Sequence, residues 1–236
     1  MGNDQIIIYA LLGGVIPALL WLAFWLREDV RRPEPKGRLA ETFLLGMLAV
    51  LIVLPLQKWV AAHFPGLGFV PFFLWALIEE FFKFGAAYIG ALRSRDDDEP
   101  LDPLIYMITA ALGFAALENA LFIWNPLLNT QVSIALSTGG LRFLGASLLH
   151  VVSSGAIGLA LALSFYKSRS KKFGYWFIGL AIAIAIHTAF NLFIVNEQTS
   201  GGSLKTFSVV WVGIAILLVF FEKIKTIAPP RKRDII

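Results

Sequence analysis

The chain has no cysteine, so neither a disulfide framework nor a thiolate metal site can be built from its 236 residues. Charge is scarce: 15% of residues are Asp, Glu, Lys or Arg against 58% hydrophobic, with a mean hydropathy of +0.74, which excludes an ordinary soluble domain. There are only three histidines, and no His-Glu-x-x-His run, so the single-helix zinc protease signature is absent. No repeat recurs at a fixed period and the two halves do not resemble one another, which argues against an inverted-repeat transporter. The N-terminus lacks the basic region and small-residue cleavage site of a secretory signal, so the first apolar stretch is expected to remain as an anchor.

What remains is apolar sequence in membrane-sized pieces. Seven stretches, near 5–26, 39–62, 68–92, 103–124, 141–166, 173–195 and 206–222, each approach the ~20 residues that cross a bilayer core. The chain therefore reads as all-α, a polytopic membrane helix bundle of about seven transmembrane helices forming a single domain over 1–236. Basic residues follow every second stretch: Arg27, Arg31, Arg32, Lys36 and Arg38; Arg93 and Arg95; Lys167, Arg169, Lys171 and Lys172; Lys223, Lys225, Arg231, Lys232 and Arg233. Cytoplasmic loops retain Lys and Arg, so the N-terminus is expected outside and the C-terminus inside. The net charge of +4 then reflects topology, and a nucleic-acid partner is not implied. Trp21, Trp25, Trp59, Trp124 and Trp176 sit near span ends, as interfacial belts do. Gly113, Gly155 and Gly158 read as sites of close helix packing. The stretch 125–140 reads either as an outer loop or, around Val132–Leu136, as a membrane-dipping piece.

Against this background the ionisable residues inside the apolar stretches stand out: Glu79-Glu80-Phe81-Phe82-Lys83, Glu118-Asn119, His150 with Ser153 and Ser154, and His187 with Asn191. A charged group at mid-bilayer costs roughly 2.5–3.5 kcal/mol even on lenient scales, so such residues mark function by default. At ~1.5 Å per helical residue, Glu79 and Glu80 lie about 18 Å below the outer end of their span, Glu118 about 10 Å, and His150 and His187 about 13 Å. Four helices thus place polar groups in one slab of the outer half. Glu79 and Glu80 precede Lys83 by four and three positions, His150 precedes Ser154 by four, and His187 precedes Asn191 by four, so each helix presents a polar face. Each group has a plainer reading. Glu79 or Glu80 with Lys83 could be a neutralised pair, Glu118-Asn119 a bridge between helices, and either imidazole a satisfied interior group. Their coincidence at one depth favours a site.

Carboxylates, imidazoles and an amide can activate water, hold an oxyanion and protonate a leaving amine, which makes hydrolysis the natural chemistry. In one mechanism Glu79 or Glu80 is the general base, with His150, His187 and Asn191 donating to the oxyanion. In another, His150, His187 and one glutamate hold Zn2+ while a second glutamate takes the proton. Residue types alone leave both open. The rival class is a proton- or ion-coupled carrier, or a silent protein that uses the same groups to bind a membrane helix.

The ordered set of segments Arg27-Glu28-Asp29, Pro33-Glu34-Pro35, Glu79-Glu80-Phe81-Phe82-Lys83-Phe84, Glu99-Pro100-Leu101-Asp102, Gly113-Phe114-Ala115-Ala116-Leu117-Glu118-Asn119, His150 and His187-Thr188-Ala189-Phe190-Asn191 resembles the PrsW family of intramembrane proteases, related to the CAAX-processing and bacteriocin-processing membrane endopeptidases. The resemblance implies an endopeptidase of the bacterial inner membrane. Its implied substrate is a membrane-anchored protein, typically a single-pass anti-sigma factor, cut on the extracytoplasmic side. It maps the paired acids onto Glu79 and Glu80, the later acid onto Glu118, and the histidines onto His150 and His187, with Asn191 beside the second. Members are called metalloproteases, whereas the CAAX-processing relatives are treated as glutamate-dependent, so the resemblance implies either chemistry. Those relatives carry Arg one position beyond the place of Lys83 here, and Lys83 is expected to position or balance a glutamate. The expected catalytic set is accordingly Glu79, Glu80, Glu118, His150, His187 and Asn191, supported by Lys83, Asn119 and Ser154. If a metal is present, its expected ligands are His150, His187 and Glu118.

Overall fold

The computed structural model describes residues 2–28, 32–197 and 203–227. Asp29 of the first family segment, Arg31, and the basic run Arg231, Lys232 and Arg233 lie outside the described residues.

Among the described residues the chain forms eight α-helices: α1 (Asn3–Glu28), α2 (Lys36–His63), α3 (Phe69–Ala87), α4 (Asp102–Leu128), α5 (Val132–Leu141), α6 (Ser147–Leu163), α7 (Arg169–Glu197) and α8 (Ser203–Ile224). Two single π-helical turns, Tyr88–Leu92 and Arg142–Ala146, extend α3 and join α5 to α6. The protein is an all-α, multi-pass membrane bundle. Five helical segments are long and apolar enough to cross a bilayer: Asn3–Arg27, Lys36–His63, Asp102–Leu128, Val132–Leu163 and Arg169–Ile194. The shorter α3 carries Glu79, Glu80 and Lys83 within its 19 residues.

Helix α4 is the axis of the bundle, and every residue from Asp102 to Ala116 is buried. Hydrophobic burial offers little drive between helices already in lipid, so close backbone approach supplies the packing. A Cβ at Gly113 would run into the carbonyl oxygen of Phe43, and one at Gly46 into that of Ala110. This pair of glycines lets α2 lie directly on α4. Gly158 meets the Leu104 backbone and Gly155 meets Leu217, so these residues pack helices as expected.

Three readings change. Asn125 is helical rather than in a loop, because α4 continues to Leu128. A turn follows in which Thr130 takes φ 58°, and the backbone N–H of Gln131 donates to the Pro126 carbonyl at 2.9 Å. The segment from Val132 onward is then helix running through the π turn into α6, giving one 32-residue helical segment. Trp25 is fully buried rather than interfacial, with its ring centroid 5.8 Å from that of Phe221.

Candidate active site

The polar residues of α3, α4, α6 and α7 meet in one buried cluster. Glu79, Glu80, Lys83, Asn119, His150, Ser153, Ser154 and His187 are all buried, while Glu118 is 16% exposed at its side chain. The cluster borders a cavity of about 430 Å³ whose lining includes Glu79, Glu118, His150, His187 and Asn191, with Leu54, Phe72, Trp75 and Phe190 as apolar walls.

Neighbouring in sequence, Glu79 and Glu80 have different surroundings. Glu80 is fully buried and saturated with donors. Its Oε1 accepts from Lys83 Nζ at 2.7 Å, Ser153 Oγ at 2.9 Å and His187 Nδ1 at 2.8 Å, and its Oε2 accepts from Ser154 Oγ at 2.6 Å. Four donors of this kind fix a buried carboxylate as an anion. Glu79 accepts one hydrogen bond, from Gln57 Nε2 to Oε1 at 2.8 Å. Its buried Oε2 has no hydrogen-bond partner and faces three nitrogens: Lys83 Nζ at 3.4 Å, His187 Nε2 at 3.7 Å and His150 Nδ1 at 3.9 Å.

The hydrogen bonds also assign the imidazole protons. A carboxylate can only accept, so His187 donates from Nδ1 to Glu80, and in the neutral imidazole Nε2 is then an acceptor facing Glu79. An ammonium can only donate, so Lys83, at 2.8 Å, makes Nδ1 of His150 an acceptor. The proton of His150 is then on Nε2, 3.1 Å from Glu118 Oε2. Both rings turn an unprotonated nitrogen toward Glu79 and donate from the far side to another carboxylate. Metal-bound histidines have this arrangement, in which an outer carboxylate fixes tautomer and ring orientation.

Among the described residues, Glu79, His150 and His187 are the one group of three whose ligand atoms converge, all within 4.8 Å of one another. Catalytic zinc takes two His and one Glu at ~2.0–2.2 Å, so the donor set and the unsatisfied Glu79 oxygen fit such an ion. The converging group contains Glu79, whereas the expected set named Glu118, which stands 3.1 Å from Nε2 of His150. Depth along a helix does not say on which side of an imidazole a carboxylate stands, and Glu118 lies at the outer nitrogen of His150.

Lys83, Ser154 and Asn119 surround these groups, together with Arg142 and Gln57. Lys83 bridges both glutamates, and Ser154 and Ser153 hold Glu80. Asn119 donates from Nδ2 to Ser147 Oγ at 2.9 Å and accepts from Arg142 Nε at 2.5 Å. Arg142 also forms an ion pair with Glu118 through Nη2. Neither Arg142 nor Gln57 stood out in the sequence. Arg142 is a cation inside an apolar stretch eight positions before His150, which is a usable signal. Gln57 beside Lys58 and Trp59 looks like part of a span end.

A helix bundle that buries two imidazoles and a carboxylate around a common point, in segments apolar enough to span a bilayer, carries a candidate metal site of the kind an intramembrane hydrolase needs. Sequence comparison gives the family: the model described as PrsW family intramembrane metalloprotease matches residues 34–221. The chain belongs to this family and is a multi-pass membrane protease. It is 31% identical to Protease PrsW of Clostridioides difficile (strain 630) over 192 residues, covering 78% of each chain. It is also 32% identical to Protease PrsW of Geobacillus kaustophilus (strain HTA426) over 127 residues, covering 52% of this chain and 56% of the relative. With Protease PrsW of Bacillus subtilis (strain 168) it shares 29% identity over 112 residues, covering 47% of this chain and 51% of that one. No solved structure matches.

Proposed function

We propose that the chain is an endopeptidase of the bacterial inner membrane that hydrolyses a peptide bond of a membrane-anchored protein near the outer face. Seven spans, with the N-terminus outside and the C-terminus inside, follow from the alternation of basic connections. They count α3 with its π turn and α8 beside the five segments that qualify by length and composition. The observation that carries the reading is Glu79 Oε2, buried, without a hydrogen bond, and faced by the acceptor nitrogens of His150 and His187.

Glu79, His150 and His187 would hold a divalent metal ion, zinc by donor type. When bound, such an ion polarises a carbonyl and lowers the pKa of a bound water. The chain's own residues do the rest. Glu80, locked by four donors, orients His187; Glu118 orients His150; Lys83 balances the two glutamates. Asn191 lines the cavity on the same face of α7 as His187, where its amide can donate to a substrate carbonyl. Apolar walls exclude bulk water and strengthen each of these interactions. A helical substrate hides its carbonyls in its own hydrogen bonds, so the bond cut lies at a helix-breaking residue or just beyond the bilayer. A single-pass anti-sigma factor is the substrate that the family resemblance implies.

The test is a mass-spectrometric comparison of membrane-protein fragments from cells expressing the native chain or Glu79→Gln at matched levels. Fragments found only with the native chain, ending near the outer face, support the reading and name the substrate. Identical fragment sets from folded, abundant proteins would favour a carrier or a silent binder, and cuts deep in a cytoplasmic tail would overturn the proposed side.

A further inference from the structure

Arg142 is a cation in an apolar helical segment, where a charge is costly unless it is paired and useful. It opens the π turn Arg142–Ala146, and its side chain is 16% exposed. In an uninterrupted α-helix, eight residues would carry it about 80° past the face of His150. The wider π turn takes up most of that excess, which is the kind of re-aiming for which π turns occur at functional sites.

Three neighbouring residues of α4 grip the guanidinium. Glu118 Oε2 pairs with Nη2, Asn119 Oδ1 accepts from Nε at 2.5 Å, and the Phe122 ring lies 3.9 Å beneath. Asn119 is itself held by its bond to Ser147, so both arms of the fork end on fixed acceptors. The Glu118 oxygen paired with Arg142 is also the oxygen that receives the Nε2 proton of His150.

We propose that Arg142 is a positioning residue for His150: by pinning Glu118 Oε2 it holds in place the acceptor of the Nε2 proton, and with it the ring orientation that turns Nδ1 toward Glu79 and His187, while Lys83 sets the tautomer from the other side of the ring. The inference deepens the metal reading of the site and rests on it for consequence, though not for its test. Arg142 touches neither Glu79 nor His187 among the contacts described, so it acts through Glu118.

The experiment is 15N NMR of the full-length chain labelled at histidine and reconstituted in lipid nanodiscs, with His63→Gln used to remove the third imidazole. The native protein should show His150 as a single Nε2–H tautomer with an unprotonated Nδ1. Arg142→Gln should shift and broaden the His150 Nε2–H signal as the ring loses its fixed acceptor, Glu118→Gln should do the same, and the double variant should add nothing further. In competition with a zinc chelator, affinity should fall about 10- to 100-fold in Arg142→Gln, as is typical when an outer-shell partner is lost. Turnover should fall with KM unchanged. A folded Arg142→Gln protein with the native His150 spectrum would overturn the proposal. If that variant does not assemble, Arg142→Lys decides, because it keeps the charge but cannot hold Glu118 and Asn119 together, and an unchanged His150 spectrum there would overturn it equally. A native chain that neither binds metal nor cleaves would refute the proposed function, while the comparison of His150 spectra would still decide the role of Arg142.

Discussion

Two buried acidic regions in this bundle differ in what surrounds them. At the α3–α4 connection, acids are gathered around backbone and phenol donors. Asp102 Oδ2 accepts from the N–H groups of Asp98 and Glu99 at 2.7 Å each, Tyr106 donates to Glu34, and Arg38 pairs with Asp96 at 2.6 Å. In the cavity cluster, acids alternate with imidazoles, and three ligand atoms from α3, α6 and α7 converge. Both regions leave buried carboxylate oxygens without a hydrogen bond, Asp97 Oδ1 and Asp102 Oδ1 in the first and Glu79 Oε2 in the second. An unsatisfied acid is therefore not in itself a site. What separates the regions is convergence with unprotonated nitrogens, and the first reads as a clasp that ties the segment before α2 to α4.

The sharpest way to break this comparison is to remove one acid interaction from each region. Glu79→Gln keeps size but removes the anionic ligand of the proposed metal site and should abolish metal-dependent turnover, with little loss of folded protein. Tyr106→Phe should do the reverse, costing about 1–3 kcal/mol for the hydrogen bond lost to Glu34 and leaving turnover per folded molecule unchanged. Thermal melts and cleavage assays on the same preparations check both. If Tyr106→Phe abolished cleavage in folded protein, the division between clasp and site would fail.

Lys83 sharpens the comparison from within the cluster. Its ammonium lies within 3.4 Å of Glu79 Oε2, 2.8 Å of His150 Nδ1 and 2.7 Å of Glu80 Oε1, so it stands beside the point where the ligand atoms converge. Lys83→Met leaves two buried glutamates without their cation and should destabilise by roughly 3–5 kcal/mol, as breaking a buried pair does. A sharp fall in folded yield, partly restored by Glu80→Gln, is the expected result in an expression and melting series.

The smallest effect is expected at Asp97 in the connection. Burial, reinforced by the Asp102 carboxylate and opposed by Lys172, pushes the Asp97 carboxyl up to about 7. A carboxyl raised in the folded state favours its protonated form there. Its contribution to stability is therefore complete at pH values below its ordinary range near 4 and is lost as pH rises toward 7. Asp97→Asn should raise the melting temperature by a few degrees at pH 8 and leave it unchanged at pH 4.

The comparison also shows what the sequence can display. Ionisable residues in apolar runs are conspicuous, and counting turns from the span ends put Glu79, Glu80, Glu118, His150 and His187 at one level, which is where the structure brings them together. Direction around each helix is not legible in that way. Glu79 and Glu80 are adjacent and point about 100° apart, and only the packed neighbours show that one is saturated by Ser153, Ser154, Lys83 and His187 while the other is left open. Which glutamate stands beside the histidines is likewise not legible, because depth cannot separate the two nitrogens of an imidazole. Arg142 and Gln57 were hidden by their closeness to span ends, where polar residues are ordinary. The helix from Val132 was obscured by its Ser, Thr and Gly content, which is compatible with a loop until the α4 contacts are seen.

In the proposed mechanism Glu79, His150 and His187 together hold the ion that hydrolysis requires. The zinc content of the purified chain, measured by elemental analysis alongside cleavage of the identified substrate, tests this. About one zinc per native chain is expected, lost together with cleavage in Glu79→Gln and His187→Ala and after chelation, with cleavage restored by added zinc in the native chain alone. A metal-free native chain that cleaves at full rate and ignores chelators would contradict this proposal, and would make Glu79 the base of a metal-free mechanism.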